Sequence, residues 1–98
     1  MTTAANKYVP AKTHRRLTPG DAVRVVRELQ ELTQADLAKR AAMTQATISA
    51  LEKGHTALGA DRAKRLAVAL RVHPSVLLFP NWDEEAKEVA RKLRRAAG

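Results

Sequence analysis

The 98-residue sequence predicts an all-α fold, a bundle of five short helices followed by an additional C-terminal helix. Apolar residues recur at spacings of three and four along most of the chain, which is typical of helices with one buried face. Threonine or proline stands just before several of these stretches, and both residues favour helix starts. No stretch shows the alternation that a half-buried strand requires. A chain of this length can bury one modest core, so we expect one domain.

The first helix is predicted over residues 19–31. Thr18 is a suitable N-cap, Pro19 fits the first helical position, and Asp21 completes a spacing that resembles a capping box. Its inward face is expected to contain Ala22, Val26 and Leu29.

The second and third helices are predicted over residues 34–41 and 45–53. Thr33 and Thr44 are their N-caps, and Gly54 suits the left-handed position that follows a helix end. The inner side of the second helix is formed by Leu37, Ala38 and Ala41. Because the connection between these helices is so short, they must cross steeply, and the third helix should project from the domain.

The third helix has two unlike sides. Ile48 and Leu51 can anchor it in a core, with Thr47 and Glu52 beside them. The outward side contains Gln45, Ala46, Ser49, Ala50 and Lys53. Such a small-residue face can approach another surface closely, and a glutamine amide can read base edges through paired hydrogen bonds. The alternative is an ordinary surface helix of a small bundle.

Three further helices are predicted over residues 60–70, 74–78 and 81–96. Ala63, Leu66, Ala67 and Leu70 should face inward in the first of them, and Asn81 with Glu84 indicates a capped start for the last. One side of the last helix is apolar and contains Trp82, Ala86, Val89, Leu93 and Ala97. This side could pack back on its own domain, or it could form a dimer or partner surface.

The net charge of +8 is concentrated at the two ends of the chain. Residues 1–16 and residues 91–98 each contain four basic residues and no acidic one, so residues 17–90 sum to zero. This distribution indicates a polyanionic partner, although it would also serve solubility. Residues 1–16 are interpreted as a flexible basic arm, which could lie along phosphates or be an idle tail.

Several classes of chemistry have no support in the sequence. Cysteine is absent, and His14, His55 and His73 stand far apart, so we expect no metal site. Ser49 and Ser75 have no neighbouring base motif, and no glycine-rich phosphate loop is present, so we expect neither catalysis nor a cofactor. The longest apolar run, residues 76–79, is too short to span a bilayer, and the start of the chain lacks a signal-peptide core. We therefore expect a cytoplasmic protein.

Three motifs occur in order along the middle of the chain: LTQADLA at 32–38, TQATIS at 44–49 and LEKG at 51–54. This series resembles the helix-turn-helix of the Cro/CI repressor family, also called Xre, and the likeness covers residues 17–79. The resemblance implies a lambda-repressor-like bundle over residues 17–80 whose third helix lies in the major groove of DNA, with residues 81–98 outside that core.

The resemblance also implies roles for individual residues. Gln34 and Thr44 match backbone-contacting positions, and Arg27 with Glu52 matches a pair that bridges the first and third helices. The base-reading positions are matched by Gln45, Ala46, Ser49 and Ala50. Lys53 and Arg16 are further candidates for phosphate contacts because of their charge and position.

The sequence departs from the family pattern at three positions. Ala42 and Glu31 stand where glycine is common, and Ala50 is shorter than the residue that usually occupies its position. A left-handed backbone at Ala42 would cost on the order of 1 kcal/mol. The short side chain of Ala50 favours more recognition through DNA shape and phosphates.

The expected function is sequence-specific binding of double-stranded DNA by a dimeric repressor, and a homodimer would match a palindromic operator. The size and layout are similar to those of HigA-like antitoxins, which would add a toxin protein as a partner. An orphan or phage-derived regulator is an equally open hypothesis. The alternative from another class is a protein-interaction adaptor that keeps the bundle without reading DNA.

Overall fold

The computed structural model describes residues 16–97, and within this range every regular element is a helix. The six helices are α1 (Pro19–Leu29), α2 (Gln34–Ala41), α3 (Gln45–Glu52), α4 (Ala60–Leu70), α5 (Pro74–Leu78) and α6 (Trp82–Ala97). The predicted all-α fold is confirmed. Most of the expected basic arm, residues 1–15 with His14, lies outside the described residues.

Helices α1 to α5 surround one apolar core. The largest fully buried side chains come from all five helices and are Val23, Leu37, Ile48, Leu51, Leu66, Leu70 and Leu77. Helix α2 packs on α3 and α4, while α1 packs on α3 and α5. All the inward residues predicted for α2 and α4 are buried, as are Ile48 and Leu51 of α3.

Helix α1 differs from its prediction in two respects. Leu29 was expected to face inward, but it is 65% exposed, whereas Val23 is completely buried. The buried residues of α1 lie mainly in its first half, so Leu29, in the last turn, lies beyond the core that covers Ala22 and Val23. The helix also ends at Leu29 rather than at residue 31, because Glu31 adopts a left-handed backbone with φ 60° and Leu32 N–H donates to Arg27 O.

Gly20 fixes the distance between the start of α1 and the end of α3. It is buried, and a Cβ atom there would collide with the backbone carbonyl of Leu51 and approach that of Glu52. Only glycine allows this backbone contact without displacing one of the helices. The contact sets where the end of α3 lies against α1.

Helix α6 lies outside the core, and none of its residues is buried. The Asn81 side chain was expected to cap this helix, but it pairs with the backbone of Leu17 instead. Asn81 Oδ1 accepts from Leu17 N–H at 3.0 Å, and Asn81 Nδ2 donates to Leu17 O at 2.8 Å. The amide is therefore used to join the two ends of the bundle. Among residues 16–97, no helix combines the length and the apolar character that crossing a membrane requires.

Candidate nucleic-acid interface

The turn between α2 and α3 consists of Ala42, Met43 and Thr44. Ala42 adopts the left-handed conformation, with φ 55° and ψ 47°, and Met43 N–H donates to Ala38 O at 2.9 Å. This backbone path closes α2 and redirects the chain at once into α3. The left-handed alanine costs on the order of 1 kcal/mol relative to glycine.

Thr44 caps α3 as the sequence predicts. Its Oγ1 accepts from Thr47 N–H at 3.1 Å and lies 2.9 Å from Thr47 Oγ1. The N–H groups of Gln45 and Ala46 precede Ile48 N–H, the first donor of an intrahelical hydrogen bond, so they form the positively polarised end of the helix. Such an end attracts an anion such as a phosphate group.

A buried ion pair joins α3 to α1. Arg27 Nε lies 2.7 Å from Glu52 Oε2, and Arg27 Nη2 lies 3.0 Å from Glu52 Oε1. The two residues are 9% and 8% exposed, and Arg27 Nη1 also donates to Leu32 O at 2.8 Å. The hydrogen bonds to Glu52 raise the pKa of Arg27 above its usual value, despite the opposing effect of burial. This geometry holds the end of α3 in one orientation relative to α1.

The same carboxylate also receives a bond from α2. Gln34 is half-buried at the start of α2, and its Nε2 donates to Glu52 Oε1 at 3.0 Å. The sequence had assigned Gln34 only a contact with DNA backbone. Nothing in the local sequence indicates this third partner, because the contact depends on the crossing of α2 and α3. Three helices therefore meet at Glu52.

The outward face of α3 is open. Gln45, Ala46 and Lys53 are exposed, and Ser49 and Ala50 are half-buried. Within residues 16–97, the side-chain amide of Gln45 makes no hydrogen bond to the protein. The face therefore offers one glutamine amide, one hydroxyl and two methyl groups to an approaching molecule.

Two arginines that the sequence analysis did not single out lie beside this face. Arg62 and Arg65 of α4 line a groove together with Ala42, Met43, Thr44 and Thr47. Arg65 Nη2 donates to Ala41 O at 3.0 Å and to Ala42 O, so its charge faces the C-terminal carbonyls of α2. The basic outer side of α4 was a signal in the sequence, but only the fold shows that it borders the turn.

The other candidate residues lie on different elements. Arg16 forms an ion pair with Glu85 of α6, a contact that the sequence did not indicate. Trp82, Ala86, Val89 and Leu93 lie on α6, with Ala86 half-buried and the other three exposed. The structure thus separates the α3 face from the apolar side of α6.

Solved structures of DNA regulators share this arrangement. The P22 c2 repressor, determined in complex with synthetic operator 9T, is 26% identical over 65% of this chain and 97% of its own, with a TM-score of 0.61. The restriction-modification controller protein C.AhdI from Aeromonas hydrophila is 25% identical over 61% of this chain and 91% of its own, with a TM-score of 0.59. The clp gene regulator ClgR from C. glutamicum, at 22% identity over 60% of this chain and 77% of its own, shares the fold with a TM-score of 0.58.

Comparison with curated proteins finds no match to the chain. The family model described as "Helix-turn-helix" matches residues 23–77, which is more than half of the chain and includes α2, the turn and α3. The chain therefore belongs to the Cro/CI (Xre) type of helix-turn-helix family and is a DNA-binding transcriptional regulator.

Proposed function

We propose that this regulator is a sequence-specific repressor that acts in the cytoplasm as a homodimer on a palindromic operator, without catalysis. The observation that carries the proposal is the outward face of α3. This face is uncharged up to its last residue, its glutamine amide is unengaged within the described chain, and a buried ion pair fixes the helix behind it.

The face fits the major groove in size and chemistry. An α-helix enters that groove, where the amide of Gln45 can pair with N6 and N7 of an adenine. Ala46 and Ala50 offer methyl groups that suit contact with a thymine methyl, and Ser49 offers a hydroxyl to either kind of base. These four residues are the proposed base-reading set.

Phosphate contacts are assigned to residues around that set. Thr44 and Gln34 stand at the starts of α3 and α2, where backbone N–H groups suit phosphate oxygens. Lys53 is exposed at the end of α3, and Arg62 borders the groove beside the turn. Arg16 becomes a further phosphate contact if a DNA phosphate displaces Glu85 from the Arg16 guanidinium. Such contacts position the protein but do not read sequence.

The proposal is tested by selecting duplexes from a random library with the full chain. A repressor of this kind should enrich one palindromic site and bind it at least about 1,000-fold more tightly than unrelated duplexes at the same salt concentration. Equal, weak binding to every duplex would contradict the proposal and favour a protein-interaction adaptor.

A toxin partner would make the repressor a HigA-like antitoxin. This subtype is tested by co-expressing the chain with the product of the adjacent reading frame. Neutralisation of a toxic neighbour would support the antitoxin role, whereas a neighbour without toxicity would leave an orphan regulator.

A further inference from the structure

Helix α6 presents a regular apolar seam that nothing in the described chain covers. Trp82, Ala86, Val89, Leu93 and Ala96 follow one another at spacings of four, three, four and three, the heptad spacing of a coiled-coil seam. The large members are exposed: Trp82 by 54%, Val89 by 44% and Leu93 by 64%. An apolar stripe of this regularity on so small a surface indicates an interface.

The charges of α6 are divided between its two halves. The first half contains four acidic residues and one basic residue, Lys87, and the second half contains four basic residues and no acidic one. The acids are Asp83, Glu84, Glu85 and Glu88, and the bases of the second half are Arg91, Lys92, Arg94 and Arg95. The helix macrodipole favours this division, but it does not require an apolar seam between the charges. Two copies of α6 lying in opposite directions would place each acidic half against the partner's basic half, whereas parallel copies would bring like charges together.

We propose that α6 is the dimerisation element of this protein and that two copies pack antiparallel about a twofold axis. The seam spacing sets the register, with Trp82 opposite the partner's Leu93 and Ala86 opposite the partner's Val89. The small central residues allow close approach of the helices. This inference rests on the proposed function in that a palindromic operator requires a twofold protein, but the pairing itself involves no DNA.

The register also predicts which charges attract across the interface. Glu85 is already paired with Arg16, and Glu88 Oε1 lies 2.5 Å from Arg91 Nη1 of the same helix. Glu85 and Lys92 lie on one flank of the seam and Asp83 and Arg94 on the other, so Glu85 faces the partner's Lys92 in addition to its own Arg16, and Asp83 faces the partner's Arg94. Glu84 and Arg91 lie on the side of the helix that faces away from the seam. Such pairs specify orientation more than they add affinity.

The end of α5 extends the seam. Ser75, Val76, Phe79 and Trp82 line a groove in which the Phe79 and Trp82 rings meet edge to face, with centroids 6.2 Å apart. Val76 and Phe79 are 43% and 52% exposed. A helix of α6's 16 residues is only about 24 Å long, so a pair of such helices needs additional apolar contact to be stable. The partner's Leu93 falls beside this groove in the proposed register.

Sedimentation velocity of the full chain without DNA tests the interface. The wild-type chain should show concentration-dependent dimers, and Leu93→Asp should weaken dimer formation at least tenfold while the far-ultraviolet circular dichroism stays helical. The matched control is Val68→Asp, because Val68 lies on α4 and is 80% exposed, and this variant should dimerise like wild type. A wild-type chain that is monomeric at every concentration, or an L93D variant that dimerises normally, would overturn the proposal.

Disulfide cross-linking tests the orientation of the two α6 helices. The chain contains no native cysteine, so only the introduced thiols can react. An oxidised mixture of Glu85→Cys and Lys92→Cys chains should form mainly the mixed disulfide, because these two positions lie on the same flank of the seam and face each other in the proposed register. Each variant alone should form little disulfide. Homodisulfides formed by each variant alone would overturn the antiparallel arrangement. If the wild type is monomeric, residues 1–15 or a partner of other chemistry become the candidates for covering α6. A failure of duplex selection would refute the proposed function while leaving these readouts unaffected.

Discussion

The orientation of α3 depends on one residue, Glu52, and specifically on its carboxylate. It accepts two bonds from Arg27 of α1 and one from Gln34 of α2, all between 2.7 and 3.0 Å. A buried ion pair adds little net stability compared with an apolar substitute, but removal of one partner leaves a buried charge uncompensated. The pair therefore acts mainly to define one arrangement of the three helices.

Replacement of Glu52 by glutamine should be costly because it keeps the shape but leaves the Arg27 charge unpaired. We expect Glu52→Gln to lower the free energy of unfolding by about 3–5 kcal/mol. The control is Glu28→Gln, because Glu28 lies 3.9 Å from Arg27 on a partly exposed surface, and its loss should be about 1 kcal/mol or less. Urea unfolding of both variants makes the comparison. Equal losses would show that Glu52 has no special role.

Substitutions at Gln45 and Lys53 should weaken DNA binding in different ways if α3 reads bases. Gln45→Ala should cost about 1–3 kcal/mol on the selected duplex and relax base preference at one position. Lys53→Ala should weaken all duplexes alike and reduce the slope of log K against log salt by about one. Competition titrations with single-base variants of the site measure both. Unchanged base preference in Gln45→Ala would contradict the proposed reading helix.

At the scale of the elements, the helix ends are where the backbone conformation suits the residue type least. Glu31, Ala42 and Arg71 adopt left-handed backbones without being glycine, and their φ values lie between 55° and 60°. The sequence marks Glu31 and Ala42 as departures from the family pattern, but it does not show that the left-handed conformation is retained. The packing of α2 on α3 and α4 holds that conformation at Ala42 at the expense of local strain.

Exchanging alanine and glycine at two left-handed positions should therefore change stability in opposite directions. Ala42→Gly relieves strain and should raise the free energy of unfolding by up to about 1 kcal/mol. Gly54→Ala should lower the free energy of unfolding by a similar amount, because Gly54 has φ 80° and a residue with a Cβ is strained in that conformation. A Cβ there would meet no atom within 4 Å, so no steric clash adds to this cost. Urea unfolding measures both. A destabilised Ala42→Gly variant would mean that the turn is not strained.

The capping box of α2 predicts an acid sensitivity. Hydrogen bonds from Thr33 lower the pKa of Asp36, with the backbone N–H at 2.9 Å the largest cause. A lowered pKa in the folded state means that the cap contributes stability above the unfolded pKa of about 3.9, and that this contribution is lost as pH falls through the folded value. Asp36→Asn should therefore lose less stability than wild type between about pH 5 and pH 2.5. Urea midpoints at several pH values provide the test, and an Asp36→Asn curve parallel to wild type would contradict it.

The accuracy of the sequence-based predictions follows from where the determining contacts lie. The bounds of α2 and α4 and their buried residues were predicted from local periodicity and, for α2, its threonine cap. Leu29 and Asn81 were misassigned because their environment is set by residues distant in sequence. Asn81, for example, pairs with Leu17, which lies 64 positions away. The Gln34 bond to Glu52 and the Arg62 groove were missed for the same reason.

At the scale of the whole molecule, the two candidate surfaces lie on different helices. The α3 face is polar and small, while the α6 seam is apolar and divided in charge. The sequence showed both patterns, but it could not decide between packing of α6 on its own domain and packing on a partner, because that choice depends on the tertiary structure. In the structure α6 lies outside the core, which leaves its seam available.

A dimer joined through α6 should hold its two α3 helices at a fixed separation, so its affinity for DNA should depend on the distance between the two half-sites. Each α3 can occupy a major groove only if the two grooves face the same side of the duplex, which requires half-site centres about 10–10.5 base pairs apart or a multiple of that distance. Insertion of five base pairs at the centre of the selected palindrome should rotate one half-site to the opposite side and reduce affinity to that of a single half-site. Insertion of ten should restore part of the lost affinity, to the extent that the α6 dimer can span the longer distance. Titration of the three duplexes at one salt concentration tests this, with Leu93→Asp as the control, since a chain that cannot dimerise should bind all three equally. If wild type also binds all three equally, each half-site is read independently and the twofold arrangement plays no part in recognition.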